Sequence, residues 1–416
     1  MLLVTLFLLL SACTPVVDTP TPAPIAVNTA TPTTVLNTTT PQPAQTDLPP
    51  VLTNTPAATP VLQPEIDVTI RYVNTQYELP GLSGKLAISI MGLSNLAYLQ
   101  NLKTNEQIFL GDLDWDFSII ISVSPDRELL VLLSDLSQYY IVDKNGNILQ
   151  QINQISPTSG IDGWLDNNRL IVVDDWDNKD YYRLAFTTLM NIYSSEIVPL
   201  EPLYPDFGTL ATNWGNNLAI YHPQLPLAVY PAAINRSQTI NIYDLEKQQV
   251  RVEIPAIIWE TERPRWSPDG KYLLLAGVLN NSDPDKHKEI YLFDTEGRNV
   301  FTTLFANHTP KEEFKGFSWS PNSQKIAFWI KDYSGPIYQL AILDVNSGTV
   351  TQYDLFTHGG NSGGPPIWSP DSQFVAVEQA MDFNATLVTT TLLHLDSGNA
   401  FDFSTDPDLR LDGWVK

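Results

Sequence analysis

Gly360-Asn361-Ser362-Gly363-Gly364 has the G-x-S-x-G spacing of an activated serine nucleophile. That chemistry holds the serine on a tight turn between a strand and a helix. Pro365 and Pro366 follow at once and an apolar run resumes at Ile367. A helix cannot start there, so the hydrolase reading is set aside. The five histidines, His222, His287, His308, His358 and His394, show no H-E-x-x-H or other ligand spacing. The acidic groups are more suggestive. Asp112, Asp114 and Asp116 alternate, and Asp174, Asp175, Asp177 and Asp180 crowd together. Asp283 with Asp285, Asp332 and Asp382 follow, and Trp176, Tyr333 and His358 sit among them. Carboxylates with a few aromatics suit a cationic ligand, a basic protein patch or Ca2+. Asp112-Leu113-Asp114-Trp115-Asp116 lacks the glycine and distal glutamate of an EF-hand loop. Calcium is therefore one option among three, and no other cofactor is expected. The competing reading is a solvated acidic surface that keeps the protein soluble.

The composition narrows the partners. Of 416 residues, 46 are Asp or Glu and 23 are Lys or Arg, a formal net charge of -23. Such a surface repels phosphate backbones, which argues against nucleic acid. Cys13 is the one cysteine, so an internal disulfide, a Cys-based zinc cluster and a CxxC pair are all excluded.

Three segments differ in character. Leu2 to Leu10 is apolar apart from Thr5. It is too short to span a bilayer, which takes about 20 residues, and it suits the core of a signal peptide. Leu10-Ser11-Ala12-Cys13 resembles the lipobox of bacterial lipoproteins. The resemblance implies cleavage before Cys13, a diacylglyceryl group on its thiol and acylation, such as palmitate, of the new amino terminus. Residues 14–64 hold 26 Pro or Thr and two charged residues, Asp18 and Asp47. Such a stretch cannot bury enough apolar surface to order itself and serves as an extended spacer. The expected domains are a signal peptide over 1–12, a lipidated cysteine and linker over 13–64, and a folded domain over 65–416.

The folded domain is one repeat. Trp266-Ser267-Pro268-Asp269-Gly270, Trp319-Ser320-Pro321-Asn322-Ser323 and Trp368-Ser369-Pro370-Asp371-Ser372 each precede an apolar run. Weaker copies begin at Val123, Trp164 and Tyr221, and Trp414 begins a seventh. Ser-Pro-Asp-Gly is a type I turn signal, with proline setting φ and glycine ending the turn. A second, Asp-led turn follows each copy at Asp143, Asp244, Asp294, Asp344 and Asp396. Four strands, a to d, therefore repeat about every 48 residues, the pattern of a β-propeller. The spacing resembles the WD40-like repeats of TolB-type proteins, also found beside the catalytic domain of prolyl oligopeptidase-like enzymes.

An all-β fold of seven four-stranded antiparallel blades is expected, with six as the alternative. Trp414 should supply strand a of the blade that Ser83-Gly84-Lys85 continues, closing the ring. Asp67 to Val73 is a further strand candidate that could compete for that position. Trp164, Trp266, Trp319 and Trp368 should pack between blades, and the repeat aspartates should form turns. The b–c and d–a connections leave on one face and carry the acidic clusters. This face is the candidate binding surface. The expected function is a non-enzymatic envelope lipoprotein propeller that binds an envelope protein or polymer. It would be held outside the cytoplasmic membrane or on the outer membrane. A sugar or small-molecule sensor and a glycan-active enzyme using loop carboxylates are the alternatives.

Overall fold

The computed structural model describes residues 68–76, 80–90, 96–110, 118–134, 138–153, 160–176, 185–199, 219–234, 237–256, 262–279, 288–303, 313–331, 335–358, 364–380 and 387–416. They belong to one compact unit, Pro56–Lys416; the other unit, Met1–Thr55, lies outside them, with Cys13 and the apolar run.

Seven antiparallel sheets of four strands form seven blades. Blade 1 takes strand a from Leu409–Val415 and strands b to d from Lys85–Ile90, Leu96–Asn101 and Gln107–Leu110. Blade 2 is Ser118–Val123, Leu129–Ser134, Tyr139–Asp143 and Ile148–Ile152; blade 3 is Gly160–Trp164, Arg169–Trp176, Ala185–Asn191 and Ile197–Pro199. Blade 4 is Ile220–Tyr221, Leu227–Ile234, Ser237–Asp244 and Gln249–Pro255; blade 5 is Arg265–Trp266, Leu273–Gly277, Glu289–Phe293 and Asn299–Thr302. Blade 6 is Glu313–Trp319, Lys325–Lys331, Ile337–Asp344 and Val350–His358; blade 7 is Ile367–Trp368, Phe374–Ala380, Val388–His394 and Asn399–Ser404. The count is seven rather than six. Closure is the expected one: Lys85 pairs with Val415 and Leu86 with Trp414.

The remaining strand candidate does not compete for closure. Val68–Arg71 adds in parallel to the outer strand of blade 6, and Asn74–Thr75 adds in parallel to that of blade 7. The segment is a strap across two outer edges. Arg71 donates to the carbonyls of Leu395 and Asp396, and the Val73 N–H is held by Asp354.

Alternating side chains give each blade two apolar faces, and seven apolar clusters fill the seven inter-blade gaps. Trp266, Trp319, Trp368 and Trp414 are buried in four of them, and Trp164 packs on a fifth. Indole N–H groups tie neighbouring blades together, Trp319 to Arg265 O and Trp368 to Ser318 O, and within blade 1 Trp414 donates to Ser83 O.

The turns use their side chains as expected. Ser124, Ser267, Ser320 and Ser369 each donate to the residue two further on, Asp126, Asp269, Asn322 and Asp371. Each serine also accepts an N–H at the start of strand b, from Leu129, Lys325 and Phe374, or from Tyr272 just before it in blade 5. The a–b turns are linked around the ring as well. Asp126 N–H donates to Asn167, Asp269 N–H to Ser323 and Asn322 N–H to Ser372. In blade 4 a histidine stands where the repeat has serine. His222 Nδ1 accepts from Gln224 and Leu225 N–H, and Nε2 donates to Gly270 O at 2.8 Å. Gly270 has φ +72, and a Cβ there would lie 2.5 Å from the His222 ring. Histidine in one blade thus requires glycine in the next. The c–d turn of blade 7 departs from its expected leader. His394, not Asp396, ends strand c, and its Nδ1 pairs with Ser397 Oγ.

Candidate functional site

The b–c and d–a connections leave together on one face. Asp112, Asp114, Asp116, Asp177, Asp180, Asp283, Asp285, Asp332, Tyr333 and Asp382 sit in them and lie outside the described residues. Asp174, Asp175 and Trp176 end strand b of blade 3, with a bulge between Asp174 and Trp176. His358 ends strand d of blade 6 opposite Ile337. Asp174, Asp175, Trp176 and His358 are the candidates that the described residues include.

The described part of that face is not uniformly acidic. In blade 6, Tyr338 Oη donates to Glu313 at 2.7 Å and Lys331 Nζ pairs with the same oxygen at 3.0 Å. Lys315 Nζ lies 4.2 Å from the centre of the Tyr338 ring, a cation–π contact. Burial lowers the Lys315 amine, with the Lys331 charge adding to it. Burial pulls Glu313 up, but the Tyr338 and Lys331 hydrogen bonds outweigh it and leave the carboxyl below its usual range.

The central channel is the richer site, and its residues were missed in the sequence. Strand a residues line two cavities there. One, of about 700 Å³, is bordered by Arg127, Glu378, Asp408, Arg410 and Asp412 with Trp319 and Trp368. The other, of about 520 Å³, is bordered by Asp162, Arg263 and Arg265 with Trp164, Tyr221 and Trp266. Arg263 pairs with Asp162 at 2.9 Å. That pair joins blades 5 and 3 across the two-residue inner strand of blade 4.

In the larger cavity the Asp412 side chain is 3% exposed. Ser89 donates to one of its oxygens. Arg410 Nε lies 2.9 Å from the other, without hydrogen-bond alignment. Burial, with the Glu378 charge adding to it, pushes Asp412 up to about 7 against the pull of Ser89 and Arg410. Glu378 is raised by burial too and accepts the Leu411 N–H at 2.6 Å. Burial lowers Arg265, with the Arg263 charge next. Burial alone pushes Arg127 down to about 10. These groups can hold a polar ligand, and a carboxyl raised to about 7, as Asp412 is, can exchange protons. Two signals pointed to them. Asp162 and Asp412 each stand two positions before a blade tryptophan, and Arg127 stands where the turns of blades 5, 6 and 7 have glycine or serine.

Ser362 of the serine motif lies outside the described residues, and Gly364–Pro366 runs without a helix into strand a of blade 7. Among the described residues no three His, Cys, Asp or Glu side chains group to hold a metal ion. Among them also, no helix is long and apolar enough to cross a membrane.

No family model matches the chain. An uncharacterized protein of Agrobacterium fabrum is 27% identical over 188 residues, 36% of this chain and 60% of that protein. The chain thus spans less than two thirds of that relative. Among solved structures, TolB from Acinetobacter baumannii is 15% identical with a TM-score of 0.42, over 84% of this chain and 98% of that one. Oligogalacturonate lyase from Vibrio parahaemolyticus is 10% identical with a TM-score of 0.49, over 77% and 86%. These are likenesses of fold.

Proposed function

We propose that this WD40-like propeller is an extracytoplasmic binding module, lipid-anchored at Cys13 and carried on the Pro/Thr-rich spacer. It presents its b–c/d–a face to an envelope protein or polymer. The observation that carries the reading is the rim entry of the chain. Val68–Arg71 and Asn74–Thr75 run along the outer edges of blades 6 and 7, so the described chain joins the ring at its rim and not on the b–c/d–a face. The lipobox-like Leu10-Ser11-Ala12-Cys13 supports the anchor, and the membrane is either the cytoplasmic or the outer one. Labelled palmitate should enter the wild type and not Cys13→Ala; label in both would remove the anchor from the reading. The full chain should retain a partner from detergent-solubilised envelope, and reversing Asp174, Asp175 and Asp177 to lysine should release it. Equal retention by both would move the binding surface off this face.

A second reading is a sensor of a sugar or other small molecule, favoured by the two tryptophan-bordered channel cavities. Cleavage of an envelope glycan by the wild type and not by Glu378→Gln would replace both readings with an enzyme.

A further inference from the structure

Arg127 breaks the pattern of the ring. It occupies the last position of the a–b turn in blade 2, where blades 5, 6 and 7 have Gly270, Ser323 and Ser372. Its φ is +65, in the left-handed region that disfavours a long side chain. The serines there bond to the neighbouring turn. Arg127 gives that link only through its backbone carbonyl, which accepts the Lys416 N–H at 3.2 Å. Its side chain instead borders the larger channel cavity, with Trp319, Trp368 and Arg410. The Nε is sheltered from water and has no hydrogen-bond acceptor. Among the described residues no carboxylate pairs with this guanidinium.

In the same channel Arg263 has Asp162 and Arg410 has Asp412, whereas Arg265, in the second cavity, resembles Arg127 in having no paired carboxylate among the described residues. Of the three carboxyls that border the cavity, two are engaged, Asp412 by Ser89 with Arg410 beside it and Glu378 by the Leu411 N–H, while Asp408 is not paired with Arg127. With 46 acidic residues in the chain, a partner for Arg127 was not lacking in composition. Arg127 is half-buried, and a guanidinium whose sheltered Nε has no acceptor is a liability unless something else completes it. A guanidinium presents a planar fork of donors that fits carboxylate and phosphate oxygens two at a time.

We propose that Arg127 anchors an oxyanion site in the central channel, taking the carboxylate or phosphate of a small ligand. The site is independent of the loop face and of any partner bound there.

The test is calorimetric titration of the full chain in detergent with sodium phosphate and, separately, sodium citrate at matched ionic strength. Wild type binds at least one with a Kd of about 1 mM or tighter. Arg127→Gln weakens that binding at least about tenfold. Arg127→Gly suits the left-handed backbone, so it melts no lower than wild type and still loses the anion. Arg298→Gln, on the exposed c–d turn of blade 5, binds as wild type. Phosphate binding alone assigns a phosphate-bearing ligand, and citrate binding alone a carboxylate. Binding of neither anion by the wild type, or equal binding by Arg127→Gln, overturns the proposal.

Discussion

His222 and Asp412 are both buried titratable groups, and they push stability in opposite directions with pH. His222 is 3% exposed and neutral, with Nδ1 an acceptor and Nε2 a donor. Burial lowers its pKa, against the pull of the Gly270 carbonyl. The unfolded chain therefore takes up the proton first. Stability present above the unfolded value of about 6.5 is lost as pH falls below it towards the folded value. His222→Asn keeps an acceptor for the turn but has nothing to protonate. It should start lower by about 1–3 kcal/mol for the lost Gly270 bond, and lose less stability than wild type between about pH 7 and pH 5. Asp412 runs the other way. Its folded pKa, about 7, lies above the ordinary aspartate value of 3.8. The folded state holds the proton longer, so stability falls as pH rises through that interval. Asp412→Asn should exceed wild type by about 2–4 kcal/mol at about pH 8, the gap closing towards pH 5. The Arg410 pair it removes is worth little, because Arg410 is mostly exposed. Denaturant melts at three pH values check both variants; parallel curves would contradict the assigned protonation states.

At the scale of elements, the inner closing strand and the outer strap should differ in what they contribute. Trp414 is fully buried, packs with Leu86 and Phe374, and donates to Ser83 O. Trp414→Ala should cost about 3–5 kcal/mol, read as a lower denaturant midpoint. Deleting 68–76 removes short pairings and should cost about 1–3 kcal/mol while baring two outer edges. Light scattering on heating should rise sooner for that deletion than for Trp414→Ala; equal scattering would deny the strap an edge-guarding role. The closing strand was legible in the sequence and the strap only half so, for one physical reason. Trp414 repeats a local turn-and-strand pattern, so its blade position follows from its neighbours. Val68–Arg71 pairs with Val350–Tyr353, far along the chain, and nothing in its own residues names that partner. The same limit applies to the site. Asp174 and Asp175 could be given a face because strand order alone sets it. The Arg263–Asp162 pair joins blades that are not neighbours in the ring, and local pattern does not report such contacts. His394 shows the opposite error, a turn read one step too far because the Asp-led pattern was followed to Asp396.

For the whole molecule, the decisive property is that the ring is closed by its own ends without being covalently continuous there. Blade 1 takes its inner strand from the last seven strand residues and its other three from the first part of the ring. The ends that meet are close, since Val415 pairs with Lys85 and Trp414 reaches Ser83 O at 3.0 Å. Seven similar inter-blade clusters then hold the circle, none confined to one blade. If the circle rather than the chain order is what is stable, the starting point should be movable. A circular permutant can join Lys416 to Ser83 through a short glycine linker. Its new ends would open the c–d turn of blade 4 at Glu246–Gln248, where all three residues are exposed. This permutant lacks the strap, so it should match the strap deletion in midpoint to within about 1 kcal/mol and unfold in one step. Its fluorescence and circular-dichroism transitions should coincide. Two separated transitions would mean that the blades on either side of the join fold as distinct halves. In that case non-covalent closure would be a source of weakness, and the linker should then raise the midpoint of the half that contains Trp414.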